Sequence, residues 1–129
     1  MFRLIKTLGN SSINENVVEL GIKVNGAPIS GSAVSCTNNI ISNTNSDAAP
    51  DYIFKSSSAS KSTVFCYSVT NDMIFKVEYT SAMTPKIGMK VGIADKNGAS
   101  DAVAYNSNGK GIIVDVINKN MVHVRFQKS

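Results

Sequence analysis

At 129 residues, 43% of them hydrophobic, the chain has the length of one ordinary domain and enough apolar material for a core without a metal or disulfide staple. Charged residues make up only 17%, so the polar surface is mainly hydroxyls and amides, and the net charge of +4 is spread out rather than gathered into a phosphate-binding run. No stretch approaches the roughly 20 apolar residues of a membrane-spanning helix, and Cys36 and Cys66 lack CxxC spacing and are too few for a disulfide framework, which leaves a pair of buried or half-buried free thiols.

The opening, MFRLIKTLGNSSINENVVEL, starts with an apolar patch (Phe2, Leu4, Ile5) and runs into the loop signal Gly9-Asn10-Ser11-Ser12. The patch is too short for the apolar region of a secretory signal, so the expectation is a soluble chain made in the cytoplasm. Residues 1–20 are expected to form an extended N-terminal arm, its apolar tip docking on its own domain or on a neighbour. Residues 21–129 are expected to form a single β-barrel domain.

From residue 21 the pattern is that of short strands. GIKVNGAPIS offers Ile22 and Val24 before Asn25-Gly26, a dipeptide suited to a tight hairpin turn. GSAVSCT is a second strand, and the Asn/Ser-rich residues 37–50 are expected to be mostly loop, with a brief apolar interruption at Ile40 and Ile41. DYIFKS and STVFCYSV follow; Val64 and Cys66 share one face, Phe65, Tyr67 and Val69 the other, which predicts cover on both sides. DMIFKVEYTS alternates most cleanly, with Met73, Phe75, Val77 and Tyr79 on an apolar face. PKIGMKVGIADKNG, SDAVAYNSNGKG and the closing pair GIIVDVI and MVHVRF complete the series. Short strands with turn signals every 8–12 residues or so predict an all-β fold, a small antiparallel β-barrel or sandwich.

Groups that carry chemistry are sparse. A nucleophilic triad has only one imidazole to draw on, His123, and the alternation turns Val122, Val124 and Phe126 one way and His123 and Arg125 the other. This is the pattern of an outward-facing histidine beside a basic neighbour. Cys36, Cys66 and His123 are too dispersed for a zinc site. DKNGASD (95–101) resembles the start of a calcium loop but lacks the full spacing and the distal Glu, so a hairpin turn is expected. GKG (109–111) lacks the flanking residues of a phosphate loop. Tyr67, Phe75 and Tyr79 have the types needed to stack on bases, although aromatics at strand spacing more often fill a core. No catalytic residue, cofactor or metal is expected.

Taken in order, MFRLIK, PDYIF, VFCYSVTNDMIFKVEYTS, KIGMKVGIADKNG, GKGIIVDV and VHVRF resemble the small head-decoration (capsid-cementing) proteins of tailed bacteriophages and their prophage relatives. The likeness runs from Met1 to about Phe126 and lies in the order and spacing of the segments, each of which is ordinary strand and turn sequence. It departs from the family pattern in GSAVSCT, which lacks an acidic residue after the glycine, and in the Asn-rich 37–50 segment. The resemblance implies a β-barrel-like domain without enzymatic activity or cofactor, clipped to the outside of the assembled capsid. Such a protein is commonly a homotrimer, has the major capsid protein as partner, and passes through the host cytoplasm during assembly. In that setting Phe2, Leu4 and Ile5 are the expected apolar contacts of the arm, with Arg3 pairing with a capsid carboxylate. Two alternatives belong to other classes: an OB-like single-strand nucleic-acid binder, which the pI near 9.1 favours, and another virion part such as a tail or baseplate component.

Overall fold

The computed structural model describes residues 1–8, 16–20, 23–24, 28–57 and 63–128. Within them the two-residue alternation of the sequence becomes twelve strands. The first seven are β1 (Arg3–Thr7), β2 (Val17–Leu20), β3 (Lys23–Val24), β4 (Ala33–Thr37), β5 (Ile40–Asn43), β6 (Tyr52–Ser57) and β7 (Val64–Ser68). The remaining five are β8 (Met73–Tyr79), β9 (Lys90–Ala94), β10 (Ala102–Tyr105), β11 (Gly111–Asn118) and β12 (Met121–Phe126).

Strands β8, β10, β9, β11 and β12 close into a five-stranded barrel, because β12 at the end of the series returns to pair with β8. Closure leaves these strands without a free edge where they meet. All the barrel pairings are antiparallel except β8 with β10, which is parallel at Ala102↔Glu78 and Val103↔Tyr79. The same flank of β8 receives β1 along its first half, from Thr7↔Met73 to Arg3↔Lys76. One seven-residue strand therefore serves three neighbours. Its side chains alternate strictly, with Met73, Phe75, Val77 and Tyr79 buried, as its sequence predicts.

A second sheet, in the order β2-β7-β6-β4-β5-β3, lies against the barrel. Its inner side chains Ala33, Ile53, Tyr67 and Val69 join Phe75, Val91, Ile113, Val124 and Phe126 in one core. The opposite face of the same strands supplies a smaller core of Val34, Ile41, Phe54, Val64 and Cys66. The cover on both sides expected for STVFCYSV thus has a physical origin: β7 stands between two apolar layers.

The opening residues are part of this architecture and do not form a separate arm. Phe2 and Leu4 are 2% and 4% exposed. The Phe2 ring meets Phe75 edge-on at 6.0 Å and Phe126 at 5.8 Å, and Tyr67 stacks on Phe75 from the second sheet. Burying an aromatic of this size is worth about 3 kcal/mol, so the tip docks on its own domain, the first of the two alternatives. Phe2 N–H also donates to the Gly31 carbonyl at 2.9 Å, and Gly31 has φ of +87° with the Met1 side chain where a Cβ would stand. Residues 17–20 also differ from an arm, forming the outer strand of the second sheet beside β7. The barrel is built by β8–β12 with β1 added along β8, whereas strands from 17 to 68 make the second sheet, a finer division than one barrel over 21–129.

One local expectation, the tight turn at Asn25-Gly26, lies outside the described residues; Lys23 and Val24 before it pair with β5 in parallel. Another changes: a hairpin forms inside the segment expected to be mostly loop, where Thr37↔Ile40 closes a two-residue turn in which Asn38 and Asn39 have φ of 53° and 60°. Two positive φ values make the right-handed twist of the flanking strands compatible with so short a turn, and asparagine tolerates them.

Phe2→Ala and Leu4→Ala are each expected to lower stability by about 3 kcal/mol in urea unfolding, against less than about 0.5 kcal/mol for Arg3→Ala. An unchanged midpoint for Phe2→Ala would place the opening residues outside the core. At the turn, Asn39→Val should cost about 1–2 kcal/mol in the same measurement, while Asn39→Gly should leave stability unaltered.

Candidate functional site

The side chains singled out for chemistry are separated by the fold. Among the described residues no three His, Cys, Asp or Glu side chains are grouped to hold a metal ion. His123 faces outward on β12, between Lys76 of β8 and Asp115 of β11, with Nδ1 3.8 Å from an Asp115 carboxylate oxygen. The two carboxylates of DKNGASD are occupied by the loop itself. Asp101 accepts from the amides of Lys96 and Asn97 at 2.7 and 2.9 Å, and Asp95 accepts from Ser100 N–H at 2.6 Å. This loop joins β9 to β10, as a turn reading of the motif requires. In GKG, a Cβ on Gly109 would stand 2.1 Å from the Val91 carbonyl oxygen, so that glycine lets two backbones approach. Tyr67, Phe75 and Tyr79 are at most 2% exposed and present no ring for stacking.

Cys36 and Cys66 are both free thiols, half-buried and buried respectively, on strands separated by β6. Burial pushes the Cys66 thiol up to about 11; proximity to Cys36 adds to the rise and a backbone hydrogen bond from Lys55 opposes it. The thiolate needed for nucleophilic or redox chemistry is thereby disfavoured.

What the fold does assemble is a charged outer face on the barrel. Strand register sets Arg3 opposite Lys76, Lys76 opposite His123 and His123 opposite Asp115, a single row across β1, β8, β12 and β11. In the adjoining positions Lys6 stands opposite Ile74, and Arg125 opposite Ile112. Like charges directly opposed on a sheet cost a few tenths to about 1 kcal/mol. Neither Arg3, Lys76 nor Arg125 has an ion-pair partner among the described residues. Arg125 also buries its Nε without a hydrogen bond. Beside the row lies a cavity of about 240 Å³ lined by Met1, Arg3, Lys76, Glu78 and Met121. Glu78 closes one side, 3.7 Å from the Met1 amino group, which itself donates to the Asp101 carbonyl.

Of the four residues expected to contact a partner, Phe2 and Leu4 are consumed by the core, Ile5 is half-buried and Arg3 is exposed on this face. Alternation along β1 turns Leu4 inward and Arg3 outward. Lys76, Met121 and His123 join Arg3 through pairings between segments up to about 120 residues apart. The outward direction of Lys76 and His123 is visible in their own strands; their adjacency is not.

No protein-family model matches the chain, and no curated protein matches it.

In the folded protein a water-soluble disulfide reagent should modify Cys36 and leave Cys66 unreacted at neutral pH, both reacting in denaturant; thiol titration checks this. Because the folded-state value of Cys66 lies above its ordinary 9.0, its contribution to stability is complete below pH 9.0 and is lost as pH rises toward about 11. Cys66→Ala should flatten that part of the stability profile.

Proposed function

We propose that the protein is a head-decoration protein of a tailed bacteriophage or prophage, binding the outside of the assembled capsid and stabilising it without catalysis. The observation that carries the reading is the ordered likeness of segments along nearly the whole chain. The β-body agrees with it: most of those segments fall on β1 and the barrel strands β8, β9, β11 and β12, and the apolar faces of these strands are spent on the core. A cementing protein needs such a self-contained body, since its partner is a lattice and many weak contacts add through multivalency. A homotrimer facing the major capsid protein on the virion exterior is the assembly this reading implies.

The burial of Phe2 and Leu4 changes how the body would attach. Truncating the opening residues would damage the barrel, so attachment has to be tested with surface substitutions. The OB-like alternative loses its stacking platform, because Tyr67, Phe75 and Tyr79 are core residues.

The test is co-sedimentation with expanded shells assembled from the major capsid protein encoded nearest to this chain. Saturable binding to expanded shells, with a higher melting temperature of the decorated shell, is the expected result. Absence of binding would remove the decoration reading. Tight binding to oligothymidylate that falls steeply with salt would replace it with the nucleic-acid alternative.

A further inference from the structure

We infer that the outer barrel face centred on Arg3 and Lys76 is a docking surface for an acidic protein segment, one that presents carboxylates beside an apolar side chain. The inference deepens the decoration reading and rests on it for the partner being a protein shell.

Three observations converge on this face. The first is its charge. Arg3, Lys76 and His123 stand in one row on neighbouring strands, spaced by about 4.8 Å, with Lys6 and Arg125 one position along. The directly opposed Arg3 and Lys76 are unfavourable within the free protein, and Arg3, Lys76 and Arg125 have no ion pair among the described residues to relieve it. An incoming carboxylate relieves the repulsion and gains charge-assisted hydrogen bonds from the Arg3 guanidinium.

The second is shape. The row borders the 240 Å³ cavity, whose walls include Met1 and Met121 as well as Arg3, Lys76 and Glu78. Methionine side chains adapt their shape to an apolar guest, so the cavity can seat one side chain while the cations hold carboxylates at its rim.

The third is the boundary. Asp115 ends the row next to His123, and Glu78 lies beyond Lys76 on the same face of β8. A continuous phosphodiester backbone laid across this face would meet those carboxylates. A discrete acidic cluster, about 10 Å across, spans only Arg3, Lys76 and His123. Charge complementarity therefore favours protein carboxylates over nucleic acid.

The experiment is an amide-resolved NMR titration of the full chain with two probes: an acetylated peptide of alternating Glu and Leu, and a short oligothymidylate. Peptide-induced shifts are expected to concentrate on Arg3, Lys76, Glu78, Met121 and His123, and to shrink with added salt. The double variant Arg3→Glu/Lys76→Glu should weaken peptide binding about tenfold or more, with Arg3→Gln/Lys76→Gln between it and the parent. Lys86→Glu/Lys110→Glu makes the same change in net charge at two exposed positions away from the row and should bind like the parent. Retained spectral dispersion identifies variants that have kept the fold. Peptide shifts scattered over the surface, equal weakening by both charge-reversed pairs, or tighter oligothymidylate binding on the same face would each overturn the inference. Co-sedimentation separates it from the decoration reading. Shells that bind the parent and Arg3→Glu/Lys76→Glu equally leave the function standing and remove this face. Shells that bind neither remove the function, and the peptide titration then decides the face alone.

Discussion

Everything else in the molecule depends on the packing of Phe2, Phe75 and Phe126 against one another, with Tyr67 stacked on the middle ring. Each ring comes from a different part of the chain: the first residues, the longest-range barrel strand, the last strand and the second sheet. Their contact buries the start of the chain, holds β1 to β8, closes β12 onto β8 and fastens the second sheet to the barrel. Remove the cluster and those four attachments lose their common point.

The cluster also determines where function can reside. Apolar residues that look like anchors on a bare sequence become structural once β1 pairs with β8, and alternation then turns their polar neighbours outward. Arg3 is available because Phe2 and Leu4 are not. The same logic places Lys76 and His123 outside, since Phe75, Val77, Val122 and Val124 face the core. The basic row is thus a by-product of core formation in its direction, while its composition is a property of the surface.

Strand character was legible wherever an alternating stretch was long enough. Met73 to Tyr79 and Met121 to Phe126 read correctly face by face, because each inward position is apolar and each outward one mostly polar. Ile40 and Ile41 were hidden among asparagines and serines, since turn-forming residues on both sides outweigh two apolar residues; only the positive φ of Asn38 and Asn39 reveals the hairpin. The partner of β3 was illegible for a different reason. A two-residue strand carries no pattern that distinguishes a parallel neighbour from an antiparallel one. The candidate site was half legible: Arg3 was named, but as one end of an arm, and nothing local in the sequence brings it beside Lys76 and His123. Register between distant strands emerges only when the core is assembled.

Pairing the first strand with β8, and β8 with the last, has a consequence for biosynthesis. When Phe2 and Leu4 leave the ribosome, the surfaces that bury them do not yet exist, because Phe75 and Phe126 are still to be made. At ordinary rates of translation the opening residues wait on the order of ten seconds for their partners. The barrel therefore closes only after Phe126 has been made, and until then the growing chain carries a β-strand whose apolar face has nothing to pack against.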